Sequence, residues 1–250
     1  MDWTAPAIIL EARPYGEADL IVTAMTEDHG AHRGLARGGA SRAQAGLWLA
    51  GNLAELRWVA RLAEQLGSFS GELIHPAAAL AMADPLALGI LSAATAVAAG
   101  ALPEREPHPR VFAPLLHLIA RLADPEAALP ELIRWEAALL AELGYGLDLA
   151  RCAVTGAIEG LAFVSPRSGR AVTREAAAGL EARLLPLPAL LTDPAASAPP
   201  AACRDGLALT GHFLARDAFG LHHKPLPQAR RMLYDRVTLL AQTESPPDAG

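Results

Sequence analysis

The stretch from His29 to Asn52 carries His29, His32, Arg33, Arg37 and Arg42 and not one aspartate or glutamate, in a chain whose formal net charge is −6. Guanidinium groups spaced along a glycine-bearing segment (Gly38-Gly39-Ala40-Ser41) have the charge and reach to follow a phosphate backbone, and glycine lets main-chain N–H groups come close to an anion. Trp48, just downstream, offers a face on which an unpaired base can stack, a contact worth about 1–3 kcal/mol. An ordinary solvated loop with Trp48 tucked beneath it as core accounts for the same residues. Around this segment the two-residue period of a strand puts Arg33, Leu35 and Arg37 on one face. Either Leu35 is exposed or the arginines snorkel at a rim, unless Gly34 and Ala36 line a narrow interior instead.

A second basic run lies near the C-terminus, where His222, His223, Lys224, Arg230, Arg231 and Arg236 face Asp235 alone among acids. With Met232, Leu233 and Val237 alongside, it has the makings of a groove for an acidic peptide or for DNA, with Lys224, Arg230 and Arg231 as its partner-binding residues. Cations that complement a helix C-terminus explain the run equally well. His222 and His223, even with His212, are a poor metal site, because adjacent histidines point in different directions and zinc needs convergent ligands. Covalent chemistry has no local signature here. The chain lacks a phosphate-binding G-x-x-x-x-G-K-[ST] loop, H-E-x-x-H, G-x-S-x-G, C-x-x-C and the dinucleotide G-x-G-x-x-G. The expectation is a binding protein and not an enzyme, with no cofactor.

Composition limits the partners. A dedicated nucleic-acid binder usually carries a basic domain, so in an acidic chain any case for DNA must be local. The basic residues are arginine except for Lys224, and alanine is abundant. This is the mark of a genomic base-composition bias more than of function. Cys152 and Cys203, the only cysteines, lie too far apart in the sequence to make a disulfide framework. Met1-Asp2-Trp3-Thr4 lacks the pattern of a secretory signal, and Leu86 to Ala99 is too short to span a bilayer. A soluble, cytoplasmic protein is expected.

The elements that must position these residues change character partway along. Ile8 to Ala12, Leu20 to Thr26, Ala31 to Arg37, Leu53 to Arg61 and Ser68 to Ile74 read as five short strands with glycine-marked corners. On pattern alone an OB barrel and a small SH3-like barrel both fit. Trp58 alternates in phase with Leu56, which places it in the core, with Arg57 and Arg61 on the opposite face. Beyond His75-Pro76 the period is helical: Ala77 to Ala99 with a break at Asp84-Pro85, a Leu115/Leu118/Ile119/Leu122 stripe, and a Leu132/Trp135/Leu139/Leu140/Leu143 stripe closed by Gly144. Late helices are expected around 207–219 and 227–240. The fold class is therefore α+β, a five-stranded barrel over residues 1–76 and a helical domain over 77–241. The latter carries an irregular insert at 148–175 and a Pro/Ala-rich loop at 185–202. Residues 242–250 read as a disordered tail.

Several of these blocks resemble the bacterial recombination mediator family RecO. Ala7-Ile8-Ile9-Leu10 with Tyr15-Gly16-Glu17 looks like that family's first strand and turn, and His29-Gly30 ahead of Gly34-Leu35-Ala36-Arg37-Gly38-Gly39 like its "hG…ARG" signature. Leu102 to Pro109, Arg134-Trp135-Glu136, Leu143 to Leu149, Arg151 to Gly156 and Phe163 to Gly169 follow in the family's order. The resemblance implies an OB-fold N-terminal domain and binding and annealing of single- and double-stranded DNA. It also implies partnership with RecR and with the acidic tail of single-stranded DNA-binding protein, help in loading a recombinase, and a place at the nucleoid. Arg33, Arg37 and Arg42 would then lie on the barrel's DNA face. The rival outside the family is an OB-fold RNA-binding factor. One departure matters. Many members hold a zinc with two C-x-x-C pairs after the "GYG" motif. Here the first pair reads Cys152-Ala153-Val154-Thr155, and no cysteine stands at the second, around Ala171 to Glu175. One thiolate does not make a tetrahedral set. No metal is expected, and packing of Phe163 and Val164 must hold the segment.

Overall fold

The structure, a computed structural model, describes residues 1–62 and 65–244. Its first compact unit is Met1–Ala128 and its second Leu129–Gly250. The first contains a closed barrel of five strands in the order β1-β2-β3-β5-β4, the OB arrangement. These are β1 (Asp2–Tyr15), β2 (Asp19–Thr26), β3 (Gly30–Ala36), β4 (Leu53–Val59) and β5 (Ser68–His75).

Closure depends on β1 serving two neighbours. Its first half pairs with β4, Trp3 opposite Trp58, and its second half pairs with β2, with a bulge between Ile9 and Glu11 where the strand bends from one partner to the other. The barrel is sealed by a short parallel contact, Leu35 opposite Ser68 and Ala36 opposite Phe69. Inside lie Ile9, Val22, Ala24, Leu56, Trp58 and Phe69. Trp58 is in the core as its phase with Leu56 demands, and its indole N–H reaches the carbonyls of Arg33 and Leu66 at 3.2 and 3.3 Å.

Strand β3 settles the choice left open by its pattern. Arg33 and Arg37 are exposed, Leu35 is half-buried, and Gly34 and Ala36 face inward. A Cβ on Gly34 would sit 2.6 Å from the Phe69 ring, so only glycine lets the strand pass the aromatic core. Gly30 opens the strand at φ +68°, and a Cβ there would lie 2.0 Å from the Glu106 carbonyl oxygen. That contact exists because Arg105 N–H donates to the Ala31 carbonyl (2.7 Å), laying Glu104 beside β3.

The same unit holds α1 (Ala77–Ala81), α2 (Pro85–Ala101) and α3 (Pro109–Ala120). Asp84 caps α2, accepting from the amides of Leu86 and Ala87 at 2.6 and 3.0 Å, with Pro85 at the first helical position. The helix packs on β1, whose Ile8 and Leu10 are also buried, so this stretch of strand is covered on both faces.

Helix α4 (Pro125–Glu142) runs into the second unit, which also holds α5 (Pro200–Phe213) and α6 (Gln228–Glu244). Gly144 ends α4 at φ +87°, the C-cap its position suggests. Three expectations change here. The insert expected to be irregular contains β6 (Leu161–Val164) and β7 (Ala171–Thr173), joined by β8 (Leu185–Pro186) into a three-stranded sheet. Strands this short show no usable alternation. The Pro/Ala-rich loop ends early, because Pro199-Pro200 starts α5: a proline in the first turn costs no hydrogen bond and presets φ. Residues 242–244, expected in the tail, are the last of α6, while 245–250 lie outside the described residues.

The centre of the second unit is ionic. Glu136 of α4 and Arg230 of α6 are buried to 0% and 1% exposure and form a two-pronged pair, Nη2 to Oε2 at 2.9 Å and Nε to Oε1. Thr210 of α5 donates to Glu136, and Arg230 also donates to the Leu207 carbonyl at 2.8 Å. Every helix of the trio contributes to one satisfied network. Removing one partner strands a buried charge, so Arg230→Met should lower stability by about 3–5 kcal/mol. The double variant Glu136→Leu/Arg230→Met should lose much less. Urea denaturation checks this, and equal losses for the single and double variants would contradict it.

Candidate nucleic-acid interface

The loop that follows β3 is built more tightly than its glycines suggest. Gly38 N–H donates to the Asp19 carboxylate at 2.7 Å, Ala40 N–H to the Ala18 carbonyl at 2.9 Å, and Ser41 N–H back to Gly38 at 3.0 Å. At its far end Asn52, 1% exposed, holds the loop and the first helix together: its amide donates to the Gly46 carbonyl (2.7 Å) and its oxygen accepts from Ala78 N–H (3.0 Å). The main-chain N–H groups expected to approach an anion are therefore occupied within the protein. Side chains alone are left to meet a phosphate.

Those side chains fare unequally. Arg37 and Arg42 are exposed, and neither has a carboxylate within salt-bridge distance among the described residues. Arg33 is also exposed but pairs with Glu104 at 3.2 Å, a carboxylate that offsets its charge toward a phosphate. Arg57 is paired in the same way with Asp2 at 3.0 Å. Trp48 departs from its expected role as a stacking face. It is 2% exposed and belongs to the barrel core, because the loop folds over and drives the indole inward as the lid of the apolar interior. No base can reach it.

Aromatic surface exists elsewhere on the barrel, and sequence reasoning missed it. Trp3 stacks near-parallel with His29 (centroids 4.7 Å) and with Trp58 (6.0 Å), and His32 stands edge-on to all three rings. The available signal was a tryptophan near the start of β1 and another near the end of β4, with His29 in the β2–β3 turn and His32 just after it. Burial holds the His32 pKa below 6.5, with the charge of Arg105 and then His29 adding to the effect and hydrogen bonds to the backbone at His29 and Gly30 opposing it.

In the second unit, a groove of about 600 Å³ lies along α5 and α6, lined by Leu207, Leu226, Met232 and Tyr234 with Arg231 and Asp235. Arg231 is exposed, and so is Lys224 on the connection before α6. Arg230 is corrected: its guanidinium is consumed by Glu136 and cannot receive a partner's carboxylate.

Cys152 is buried against β7. Its sulfur accepts from Thr173 N–H at 3.4 Å and lies 3.7 Å from the Thr173 hydroxyl, within a small cluster with Val172, Ala177 and Phe163. The Thr155 hydroxyl, helped by N–H groups of Thr155, Thr173 and Val154, pulls the thiol down to about 6 against the opposing effect of burial. Of the two C-x-x-C pairs that the resemblance implies, the first is reduced to Cys152, and the second, around Ala171 to Glu175, has no cysteine. One thiolate does not make the tetrahedral set of zinc. No group of three or more His, Cys, Asp or Glu side chains converges to hold a metal among the described residues. No helix among them is long and apolar enough to cross a membrane.

Comparison with known proteins agrees along the chain. The family model described as "Recombination protein O N terminal" matches residues 1–77, and "Recombination protein O C terminal" matches 82–227. A protein named DNA repair protein RecO from Acidiphilium cryptum is 62% identical over 95% of this chain and 96% of its own. Those of the same name from Granulibacter bethesdensis and Gluconacetobacter diazotrophicus are 58% and 53% identical, each covering 98% or more of both chains.

The His32 shift fixes the sign of a pH effect. A histidine whose folded pKa lies below its unfolded value stabilises the fold fully above about 6.5 and loses that contribution as pH falls through the lowered value. His32→Phe should therefore shrink the loss of stability between about pH 7 and about pH 5. Parallel stability–pH curves for the two proteins, by urea denaturation, would assign the acid sensitivity elsewhere.

Proposed function

The chain belongs to the RecO family of DNA repair proteins, and from that premise we propose that it works without covalent chemistry, as a mediator that holds DNA on its barrel and a protein tail on its helices. The observation that carries the DNA half is the pair of exposed guanidinium groups, Arg37 and Arg42, without a salt-bridge partner among the described residues, on a loop that has no acid of its own and that Asp19 and the buried Asn52 keep in shape. Such a loop binds a backbone by charge and releases counterions from it, whatever the base sequence. Single- and double-stranded DNA are both suitable, and holding two strands on one protein favours their annealing.

The groove between α5 and α6 is the proposed seat for the acidic, hydrophobic tail of single-stranded DNA-binding protein. Met232 and Leu226 offer apolar contact, Arg231 on the wall offers charge, and the exposed Lys224 on the connection before α6 is the second cation proposed for it. Binding both partners brings the protein to coated single strands, where with RecR it helps a recombinase displace the coat. The chromosome in the cytoplasm is the place of that work.

Two measurements test the two halves. In fluorescence anisotropy with single-stranded DNA at several salt concentrations, Arg37→Ala/Arg42→Ala should weaken binding and flatten the log K against log[salt] slope by about one to two units. An unchanged slope removes the loop from the interface. Independently, Arg231→Glu should weaken binding of the acidic tail peptide roughly five-fold, the scale of an exposed charge pair, and leave DNA affinity alone. Unaltered peptide affinity would place the tail somewhere else.

A further inference from the structure

The ring cluster on the barrel encloses a cavity of about 270 Å³, lined by Met1, Trp3, Asp28, His29, His32, Trp58, Arg105 and Pro107. Three of the residues that line it each carry a buried side-chain nitrogen without a hydrogen-bond partner: Trp3 Nε1, His32 Nδ1 and Arg105 Nε. His32 is 7% exposed. Orphaned buried nitrogens of this kind are uncommon in native proteins, and the residues that carry these three border one small space. Arg105 is also held at φ +65°, a left-handed conformation disfavoured for a side-chain-bearing residue, with its N–H bonded to the Ala31 carbonyl. Arg105 lines the cavity, and its Nη2 donates to the Gln65 carbonyl at 3.0 Å.

From these features we infer that the cavity is a pocket for one unpaired nucleobase. Its walls are flat and aromatic, which suits a planar heterocycle. Its free groups are chiefly N–H donors, which suits a ring edge bearing carbonyl oxygens, such as thymine or guanine. Its volume falls just below the range of pockets for drug-sized ligands, which suits a single base and not a base pair. A free phosphate fits badly, because the carboxylate of Asp28 stands on the wall.

The inference rests on the reading of the barrel as a DNA-binding module but uses different residues from the arginine loop. Phosphate contacts on the loop would position a strand, and the pocket would take a base only where that base is unpaired. The protein would thereby prefer single strands to duplex without reading sequence closely.

The test compares two strands on the full-length protein: a short labelled oligothymidylate, and a strand of equal length in which every residue is abasic. The variant is His29→Ala/Arg105→Gly, chosen because His29 lies at the rim and glycine relieves the backbone at 105, with circular dichroism to check folding. The wild type should bind the base-bearing strand more tightly, and the variant should lose about five-fold or more on that strand alone. The loop variant Arg37→Ala/Arg42→Ala should weaken both strands alike. If the wild type holds both strands equally, or the pocket variant weakens both equally, the pocket proposal is overturned while DNA binding stands. If neither strand binds, the DNA reading of the barrel fails. Titration with free thymidine, followed by tryptophan fluorescence, then decides the pocket by itself: quenching abolished in the variant supports it, and no quenching sinks it.

Discussion

The barrel turns on one close approach, the backbone of β3 against the ring of Phe69. Position 34 has no room for a Cβ, so the strand can run in only one phase, with His32, Gly34 and Ala36 inward and Arg33, Leu35 and Arg37 outward. A slip of one residue would bury two arginines in an apolar core, at a cost no small barrel could bear. The same phase carries His32 to the edge of the Trp3 and Trp58 rings and delivers the chain at Gly38 to the Asp19 carboxylate that starts the loop. Both candidate surfaces of the barrel, the charged loop and the aromatic pocket, are thus consequences of a single glycine.

The second unit is organised by the opposite means, a buried charge pair where the barrel has an apolar interior. Glu136 and Arg230 lie 94 positions apart and meet inside, with Thr210 completing the set. A hydrophobic trio in their place would pack as well or better in free energy. What the pair supplies is direction, because a guanidinium and a carboxylate engaged at two points tolerate only one mutual orientation of the helices that bear them. The cost falls on the neighbouring groove, where Arg231 is the lining cation left to a partner and Asp235 stands on the same wall.

Much of this was legible in the residues. Alternation at Leu56 and Trp58, glycine-marked corners and the change of period after Pro76 led to the barrel, and Asp84-Pro85 and Gly144 marked helix ends that the structure places there. What was not legible shares a cause, namely that contacts distant in sequence decide it. Trp48 looks like a loop residue until the loop folds back over the core, and Arg230 looks like surface until Glu136 is opposite it. Cys152 is a remnant of a pair by spacing, but the threonine that now holds its sulfur stands 21 positions on. The short strands β6, β7 and β8 are stabilised by pairing and not by their own pattern. The pocket required Arg105, which no periodicity connects with a strand ending near residue 36.

The molecule is acidic as a whole, and its proposed ligand is a polyanion. The reconciliation lies in distance. At physiological ionic strength charges are screened beyond about 8 Å, so a phosphate near Arg37 and Arg42 responds to its immediate neighbours and not to carboxylates on the far side of the barrel. Acid-free sequence from His29 to Asn52 matters for this reason, and Glu104 beside Arg33 shows how readily one neighbour subtracts from it. Two uncompensated cations release few counterions, however, and give an affinity that salt erodes. A base held between rings adds affinity that salt barely touches, since stacking exchanges water and not ions. On the proposed reading, a modest charge with an aromatic pocket would suit holding single strands and letting duplex product go, because pairing would withdraw the base and leave only the weaker, salt-sensitive contact behind.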